Sequence, residues 1–249
     1  MIKIEFGKEN PEVIILLHGG GLSWWNYREA AELLKEKYHV VIPILDGHAG
    51  SDRDFTSIES NARELIEYID GAHNGSVRFI GGVSLGAQIL IEMLIQRSDI
   101  CQVALIESAL VIPMKVTCFL TKPMLMMSYG LIHKAWFSKL QFKSLKLQND
   151  LYDDYYRDTC SITKENMITF IKSNTSYSLK PELKKSQAKT LIFVGQRESS
   201  KMIRSARRLQ QMFPNSDLHI LENLHHGEFS INHGAEYAVQ VINIISERI

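Results

Sequence analysis

Short β-branched runs alternate along the chain with longer segments of helical periodicity, and this alternation restricts the possible fold more than any other feature. Seven runs are predicted to be strands: Ile2–Phe6, Val13–His18, Val40–Leu45, Val77–Val83, Val103–Glu107, Thr190–Val194 and Leu218–Leu221. The predicted helices are Trp24–Tyr38, Ser57–Ile69, Leu85–Gln96, Ser200–Phe213 and Ala235–Glu247. Several strands lack polar alternation, as strands covered on both faces do. The pattern predicts an α/β fold with a mainly parallel central sheet of about seven strands flanked by helices.

One long segment, from Val111 to Lys185, interrupts this alternation. It contains apolar and aromatic helical pieces, with a methionine-rich run at Met124, Met126 and Met127, but no strand followed by a helix. We expect residues 111–185 to form a helical cap inserted into a core domain of residues 1–110 and 186–249. Methionine and aromatic side chains could line an apolar pocket, or they could pack the insertion onto the core.

The segment GGVSLGAQ places a G-x-S-x-G pattern, from Gly82 to Gly86, directly between a predicted strand and a predicted helix. In such a turn the serine hydroxyl projects above the sheet, and the flanking glycines remove Cβ atoms that would clash there. The N-terminus of the following helix directs free N–H groups to the same place, where they favour negative charge. The pattern predicts Ser84 as a nucleophile, against the alternative that it is an ordinary turn residue.

A second glycine-rich segment, HGGG at positions 18–21, follows the apolar run VIILL. At the carboxyl end of a strand, its flexible backbone could direct N–H groups at a substrate oxyanion, opposite the peptide N–H of Leu85. We expect His18 itself to be structural.

With these segments the chain resembles the α/β-hydrolase fold family, specifically its serine esterase and lipase-like members with a helical cap. The resemblance extends over nearly the whole chain and rests on HGGG, GHAGS (Gly47–Ser51), GVSLG, LIFVGQRE (Leu191–Glu198) and HHGEF (His225–Phe229). It implies an α/β-hydrolase fold, a Ser-acid-His triad in that chain order, an oxyanion hole of two backbone N–H groups, and no cofactor. It assigns the nucleophile to Ser84 and the oxyanion N–H groups to Gly20 and Leu85, with Gly21 as a less favoured donor.

The resemblance also locates the acid and the base of the triad. The acid usually follows a late strand in a G-x-x-D pattern, and this chain has Gly195-Gln196-Arg197-Glu198 there, so Glu198 replaces the commoner aspartate. Either acid can accept the imidazole Nδ1–H. Glu107, which ends the strand VALIE, is the alternative. The base is predicted to be His226, with its neighbour His225 as the alternative.

Composition excludes several other classes of protein. Lysine and arginine total 28, as do aspartate and glutamate, so overall charge gives no reason to expect nucleic-acid or anionic-membrane binding, although a local patch remains possible. The longest aliphatic run, Val13–Leu17, is too short to span a membrane. The N-terminus lacks the features of a secretion signal, so we expect a cytoplasmic protein. Three cysteines without CxxC spacing, and the absence of phosphate-binding or dinucleotide motifs, predict no disulfide framework, no metal and no cofactor.

The resulting functional hypothesis is a hydrolase of small or medium carboxylic esters, or of thioesters or lactones, acting through an acyl-enzyme. Its partner would be a small-molecule acyl substrate, and Trp24 and Trp25 either border the pocket mouth or belong to the core. One alternative is a proline iminopeptidase-type peptidase, in which Asp150, Asp153 and Asp154 would hold a substrate amine. A ligand sensor, a slow hydrolase, a cofactor-free lyase and a perhydrolase also stay open, as does a monomeric or homodimeric state.

Overall fold

A seven-stranded sheet forms the centre of the protein in the computed structural model, which describes residues 1–246 apart from the side chain at position 184. Its strands are β1 (Lys3–Phe6), β2 (Val13–Leu17), β3 (His39–Pro43), β4 (Val77–Val83), β5 (Cys101–Glu107), β6 (Lys189–Gly195) and β7 (Ser216–Leu221). They lie in the order β1-β3-β2-β4-β5-β6-β7, with β1 antiparallel to β3 and the other neighbouring pairs parallel. The predicted α/β fold is therefore confirmed.

The helices surround this sheet and also fill the segment between β5 and β6. They are α1 (Arg28–Leu34), α2 (Ile58–Ala72), α3 (Leu85–Gln96), α4 (Lys115–Ser128), α5 (Ala135–Ser144), α6 (Tyr152–Ser161), α7 (Lys164–Ser176), α8 (Ser200–Met212), α9 (Glu228–Asn232) and α10 (Gly234–Ser246). Glu247, the last residue of the helix predicted from Ala235, lies outside the described residues.

Both faces of the sheet are buried, which explains why the strands lack polar alternation. Successive residues point to opposite faces of a strand, and Ile14 and Ile15 of β2 are both fully buried. Ile15 belongs to the apolar cluster that includes α2, α3 and α8, whereas Ile14 belongs to the cluster that includes α1 and α10. Because β2, β4, β5 and β6 pair in parallel, their carboxyl ends lie at one edge of the sheet.

The segment predicted as one helix from Trp24 to Tyr38 is divided. A 3-10 turn covers Trp24–Tyr27, and α1 follows and ends at Leu34. Trp25 packs in a cluster with residues of α5 and α6, whereas Tyr27 packs against the sheet. Tertiary contacts on two sides thus outweigh the local helical periodicity of this segment.

Helices α4 to α7 occupy the segment in which the sequence predicts a cap. The described residues between β5 and β6 form these helices and short 3-10 turns, so the interruption of the strand-helix alternation is confirmed. The assignment of residues 111–185 as a separate cap domain stays a prediction. Met124, Met126 and Met127 lie exposed on the outer surface of α4 and not against the core.

Candidate active site

The turn between β4 and α3 holds Ser84 in a conformation that L-residues rarely adopt. Its φ is 54° and its ψ is −111°, a region that costs about 1–3 kcal/mol. The flanking glycines are required by space, because a Cβ at Gly82 would lie 2.6 Å from the Gly86 carbonyl oxygen and one at Gly86 would overlap the Leu17 carbonyl oxygen. The peptide N–H of Ser84 donates to the carbonyl of Glu107 (2.9 Å), which ties the turn to β5.

The Ser84 hydroxyl lies at the end of a continuous chain of hydrogen bonds. Ser84 Oγ is 3.0 Å from His226 Nε2, and His226 Nδ1 is 2.7 Å from Glu198 Oε2. An ionised carboxylate only accepts hydrogen bonds, so Nδ1 carries the imidazole proton and Nε2 accepts from the serine hydroxyl. The structure thus brings together the three residues predicted as nucleophile, base and acid. In the sequence, His226 lies 142 residues after Ser84 and 28 residues after Glu198.

A tight turn after β6 directs the Glu198 carboxylate towards His226. The Glu198 amide donates to the Gly195 carbonyl (3.1 Å), and the Gly195 amide donates to Glu198 Oε1 (2.8 Å). The side chain therefore folds back over the end of β6, where only 1% of it is exposed, whereas 48% of the His226 side chain is exposed. This geometry accommodates the additional methylene of glutamate relative to aspartate.

Ser108, which is not among the residues predicted from the sequence, connects the loop of Glu198 with the loop of His226. Its hydroxyl donates to Glu198 Oε1 (2.7 Å) and accepts from the amide of Gly227 (3.0 Å). Ser108 has a φ of 55° and directly follows β5, between the ends of β4 and β6. Its position after a central parallel strand is the sequence signal that could have indicated it.

The electrostatics of the pair favour an ionised Glu198 and a basic His226. Burial acts to raise the pKa of Glu198, but hydrogen bonds from His226, Ser108 and the Gly195 amide outweigh it and hold that pKa below its usual value. Partial burial of the His226 ring acts to lower its pKa, but the hydrogen bond and charge of Glu198, together with the charge of Glu107, raise it above its usual value. Glu198 therefore stabilises the imidazolium form, which a general base adopts when it accepts a proton.

Glu107, the alternative acid, has different partners. It is buried, and its carboxylate accepts from the amides of Phe229 (3.2 Å) and Ser230 (3.2 Å). Burial raises the pKa of Glu107 to about 7. The His226 ring is hydrogen-bonded to Glu198 and not to Glu107, so the geometry favours Glu198 as the acid.

The other histidines near the site have separate environments. The side chain of His225 lines a different cavity, together with Arg197 and residues of α5. His18 is buried, donates from Nδ1 to the Gly19 carbonyl (3.0 Å) and accepts at Nε2 from the Leu45 amide (3.1 Å). Burial and the nearby His48 lower the pKa of His18 to about 3, so it remains neutral and holds the glycine-rich loop against the end of β3.

The two amides predicted to form an oxyanion hole belong to adjoining segments. A Cβ at Gly20 would lie 3.4 Å from Leu85 Cδ2, so the Gly20 backbone lies against Leu85. The amide of Leu85 is at the first position of α3 and has no intrahelical acceptor. Within residues 1–246 the Gly20 amide donates no hydrogen bond, whereas the Gly19 amide donates to Asn26 Oδ1 (3.2 Å). The Gly20 and Leu85 amides are thus free to bind a ligand oxygen.

Trp24 and Trp25, predicted at the pocket mouth, have unequal positions. Trp25 is buried, and its indole Nε1–H donates to Asp158 of α6 (2.8 Å). Trp24 is partly exposed and packs against Phe6 and beneath the Arg28 guanidinium. Trp25 therefore joins the first loop to α6, and a substrate contact by either tryptophan stays a prediction.

The three aspartates of the peptidase alternative are either paired with arginine or exposed. Asp154 is paired with Arg28 (2.5 Å) and Arg157 (2.7 Å), and Asp150 and Asp153 are exposed. A carboxylate already paired with two guanidinium groups is poorly suited to bind a substrate amine. Across residues 1–246, no three His, Cys, Asp or Glu side chains are grouped to hold a metal ion, and no helix has the length and apolarity to cross a membrane.

Comparisons with known proteins agree with this architecture. A protein from Desulfitobacterium hafniense, described as an α/β hydrolase family protein, is 21% identical, with 98% of this chain and 100% of that chain aligned and a TM-score of 0.77. MenH from S. aureus is 18% identical over 99% and 97% of the chains, with a TM-score of 0.79. A structure from a study of carboxylesterases of the thaumarchaeon Nitrososphaera gargenis is 15% identical over 100% and 96%, with a TM-score of 0.79.

The sequence itself was also compared with curated proteins and with families. No curated protein sequence matches the chain. The profile of the alpha/beta hydrolase family matches residues 14–240, which include Ser84, Glu198 and His226. This match confirms the resemblance inferred from the motifs, and the chain belongs to the α/β hydrolase family.

Proposed function

We propose that the protein is a serine hydrolase that cleaves carboxylic esters of small or medium size, or thioesters or lactones, through an acyl-enzyme. The observation that carries this proposal is the hydrogen-bond chain from Ser84 through His226 to Glu198, with distances of 3.0 and 2.7 Å. Supporting it are the strained turn that presents Ser84 and the free amides of Gly20 and Leu85.

In the proposed reaction, Ser84 Oγ attacks the substrate carbonyl carbon while its proton moves to His226 Nε2. The Gly20 and Leu85 amides bind the resulting oxyanion, and Glu198 stabilises the imidazolium through Nδ1–H. His226 then donates its proton to the leaving oxygen, which departs as an alcohol and leaves Ser84 acylated. A water molecule, deprotonated by the same imidazole, releases the carboxylic acid and restores the serine hydroxyl.

We also propose that residues 111–185 act as a cap over this site. Phe170 of α7 would lie 3.4 Å from a Cβ at Gly20, so this helix borders the proposed oxyanion hole. Gln88 of α3 donates to the Asn174 carbonyl (3.0 Å) and accepts from its side-chain amide (2.8 Å). These contacts support a fixed attachment of α7 to the turn that carries Ser84.

The proposal is tested by hydrolysis of a p-nitrophenyl ester series by the wild-type protein and single variants. Ser84→Ala should abolish turnover, and Glu198→Gln should lower kcat by about 10⁴-fold, the order seen when a triad acid is changed to its amide. Glu107→Gln is the matched control, since it makes the same change in a buried glutamate that is not hydrogen-bonded to His226. It should retain most of the activity.

Other outcomes would reassign the site or the substrate. A larger loss in Glu107→Gln than in Glu198→Gln would move the acid to Glu107. Faster turnover of aminoacyl amides than of esters would favour the peptidase alternative. Folded wild-type protein that hydrolyses no member of the series would contradict the ester hydrolase proposal.

A further inference from the structure

Helix α4 directs its apolar side chains towards solvent. Phe119 is 80% exposed and Met127 is 87% exposed. The side that packs against α7 is narrow, with Thr121 buried and Cys118 and Leu125 partly buried. Exposed residues of this size in a continuous group mark an interaction site in most proteins.

The exposed residues form one continuous face. At about 100° per residue, the members of this face occupy an arc of about 160°, on the opposite side from Thr121. We call it the α4 outer face, and it comprises Val116, Phe119, Leu120, Pro123, Met124, Met126 and Met127. An apolar arc of this width on a helix normally faces a partner. In α5, Trp136 and Leu140 are also exposed and are one turn apart.

The segment that contains α4 carries basic residues but no acidic ones. Residues 111–148 contain no aspartate or glutamate, although the whole chain has 28 acidic and 28 basic residues. Their six lysines are Lys115, Lys122, Lys134, Lys139, Lys143 and Lys146. Lys115 and Lys122 are on α4 itself, whereas Lys139, Lys143 and Lys146 line a separate cavity beside α5. Basic residues on an amphipathic helix attract anionic lipids.

Three lysines border the α4 outer face where α4 meets α7. Lys115, Lys122 and Lys172 line a groove of about 750 Å³, with Phe119 and Pro123 on its apolar side. Among the described residues, none of the three has a carboxylate partner. Long lysine side chains can place their ammonium groups at lipid phosphates while their methylenes and the neighbouring rings contact the acyl chains.

A second copy of this chain is a poorer partner for this face. A symmetric dimer would bring the lysines of one α4 close to those of the other, and like charges would repel. The positive charge and the apolar arc together fit a negatively charged lipid surface. We propose that the α4 outer face docks on an anionic lipid surface, with Lys115, Lys122 and Lys172 contacting lipid phosphates.

Co-sedimentation with vesicles tests this proposal, using phosphatidylcholine alone and phosphatidylcholine mixed with phosphatidylglycerol. The protein should bind the anionic vesicles, and binding should weaken as salt is added. Lys115→Gln with Lys122→Gln should weaken binding about 25-fold, at about fivefold for each lysine. Phe119→Asp with Met127→Asp should abolish binding. Val239→Asp is the control, because Val239 is an aliphatic residue on α10 that is also 56% exposed, and it should leave binding unchanged.

Three results would overturn the proposal. The first is that the protein does not bind anionic vesicles at low salt. The second is that the Phe119/Met127 and Val239 variants bind equally well. The third is that sedimentation velocity shows dimers, which only the Phe119/Met127 variant loses. Far-UV circular dichroism checks that the variants, changed at exposed positions, remain folded. Vesicle binding does not depend on hydrolysis, and Ser84→Ala should bind as the wild type does. Failure of this inference and failure of the proposed function are therefore distinguishable.

Discussion

Replacement of Ser108 by alanine tests how the acid and the histidine are held together. The change removes a hydrogen bond to a buried carboxylate, worth about 1.5–3 kcal/mol, and leaves the Gly227 amide without its acceptor. We expect the free energy of unfolding to fall by about 2–4 kcal/mol. Because Glu198 would be held less precisely against His226, we expect kcat to fall by about 10- to 100-fold, which corresponds to a loss of about 1.4–2.8 kcal/mol of transition-state stabilisation. KM should change little, because Ser108 acts on Glu198 and not on the substrate.

The assay measures kcat and KM for a p-nitrophenyl ester as a function of pH, together with urea unfolding. Without the Ser108 hydrogen bond, the negative charge of Glu198 is shared with fewer donors and interacts more strongly with His226. The pKa of His226 should therefore rise, and the acidic limb of the kcat–pH profile should move to higher pH. Ser108→Gly is the matched variant, since glycine tolerates the φ of 55° but also lacks the hydroxyl. Activity within twofold of wild type in both variants, with an unmoved pH profile, would refute the role assigned to Ser108.

Three further predictions follow from the geometry. Since Glu198 raises the pKa of His226, the acidic limb of the kcat/KM–pH profile should lie above the usual histidine pKa of about 6.5. The residual activity of Glu198→Gln should have its acidic limb at lower pH, and a limb at the same pH as in the wild type would contradict this. Gly86→Ala should yield unfolded or inactive protein, because its Cβ would overlap the Leu17 carbonyl oxygen, and a well-folded, active variant would argue against the turn geometry. Burial raises the folded-state pKa of Glu107 from 4.5 to about 7, so the contribution of this group to the free energy of unfolding is fully present below pH 4.5 and falls by about 3 kcal/mol as pH rises to 7; urea unfolding as a function of pH should show this fall in the wild type relative to Glu107→Gln, and parallel pH profiles would contradict it.

The nucleophile turn was predictable because its requirements are local. A strained serine, a close approach of helix to strand and free amides at a helix N-terminus are encoded together within GVSLG. The alternating strands and helices were predictable for a related reason, since burial on both faces removes polar residues from the strands.

The acid and its supporting serine depend on contacts that local sequence does not contain. Glu107 ends β5 and Glu198 follows the neighbouring strand β6, so both lie at the same edge of the sheet. The turn at Gly195 decides which carboxylate reaches His226, and the position of a turn is a tertiary property. The position of Ser108 after a central strand is a local signal, but its partners lie 90 and 119 positions away, and no local pattern identifies them.

The orientation of α4 was unpredictable for another reason. Periodicity indicates that a helix has an apolar face, but it does not indicate whether the protein's own core covers that face. In this chain α7 packs against the opposite side of α4, and residues such as Phe119 and Met127 remain exposed.

The central claim is that Ser84 is a nucleophile activated by His226 and Glu198. The most direct measurement is the intact and peptide mass of the folded protein after treatment with a fluorophosphonate. We expect one phosphonyl adduct on Ser84, no adduct in Ser84→Ala, and much slower labelling of Glu198→Gln than of Glu107→Gln. Folded wild-type protein that stays unlabelled, or that carries the adduct on another residue, would contradict it.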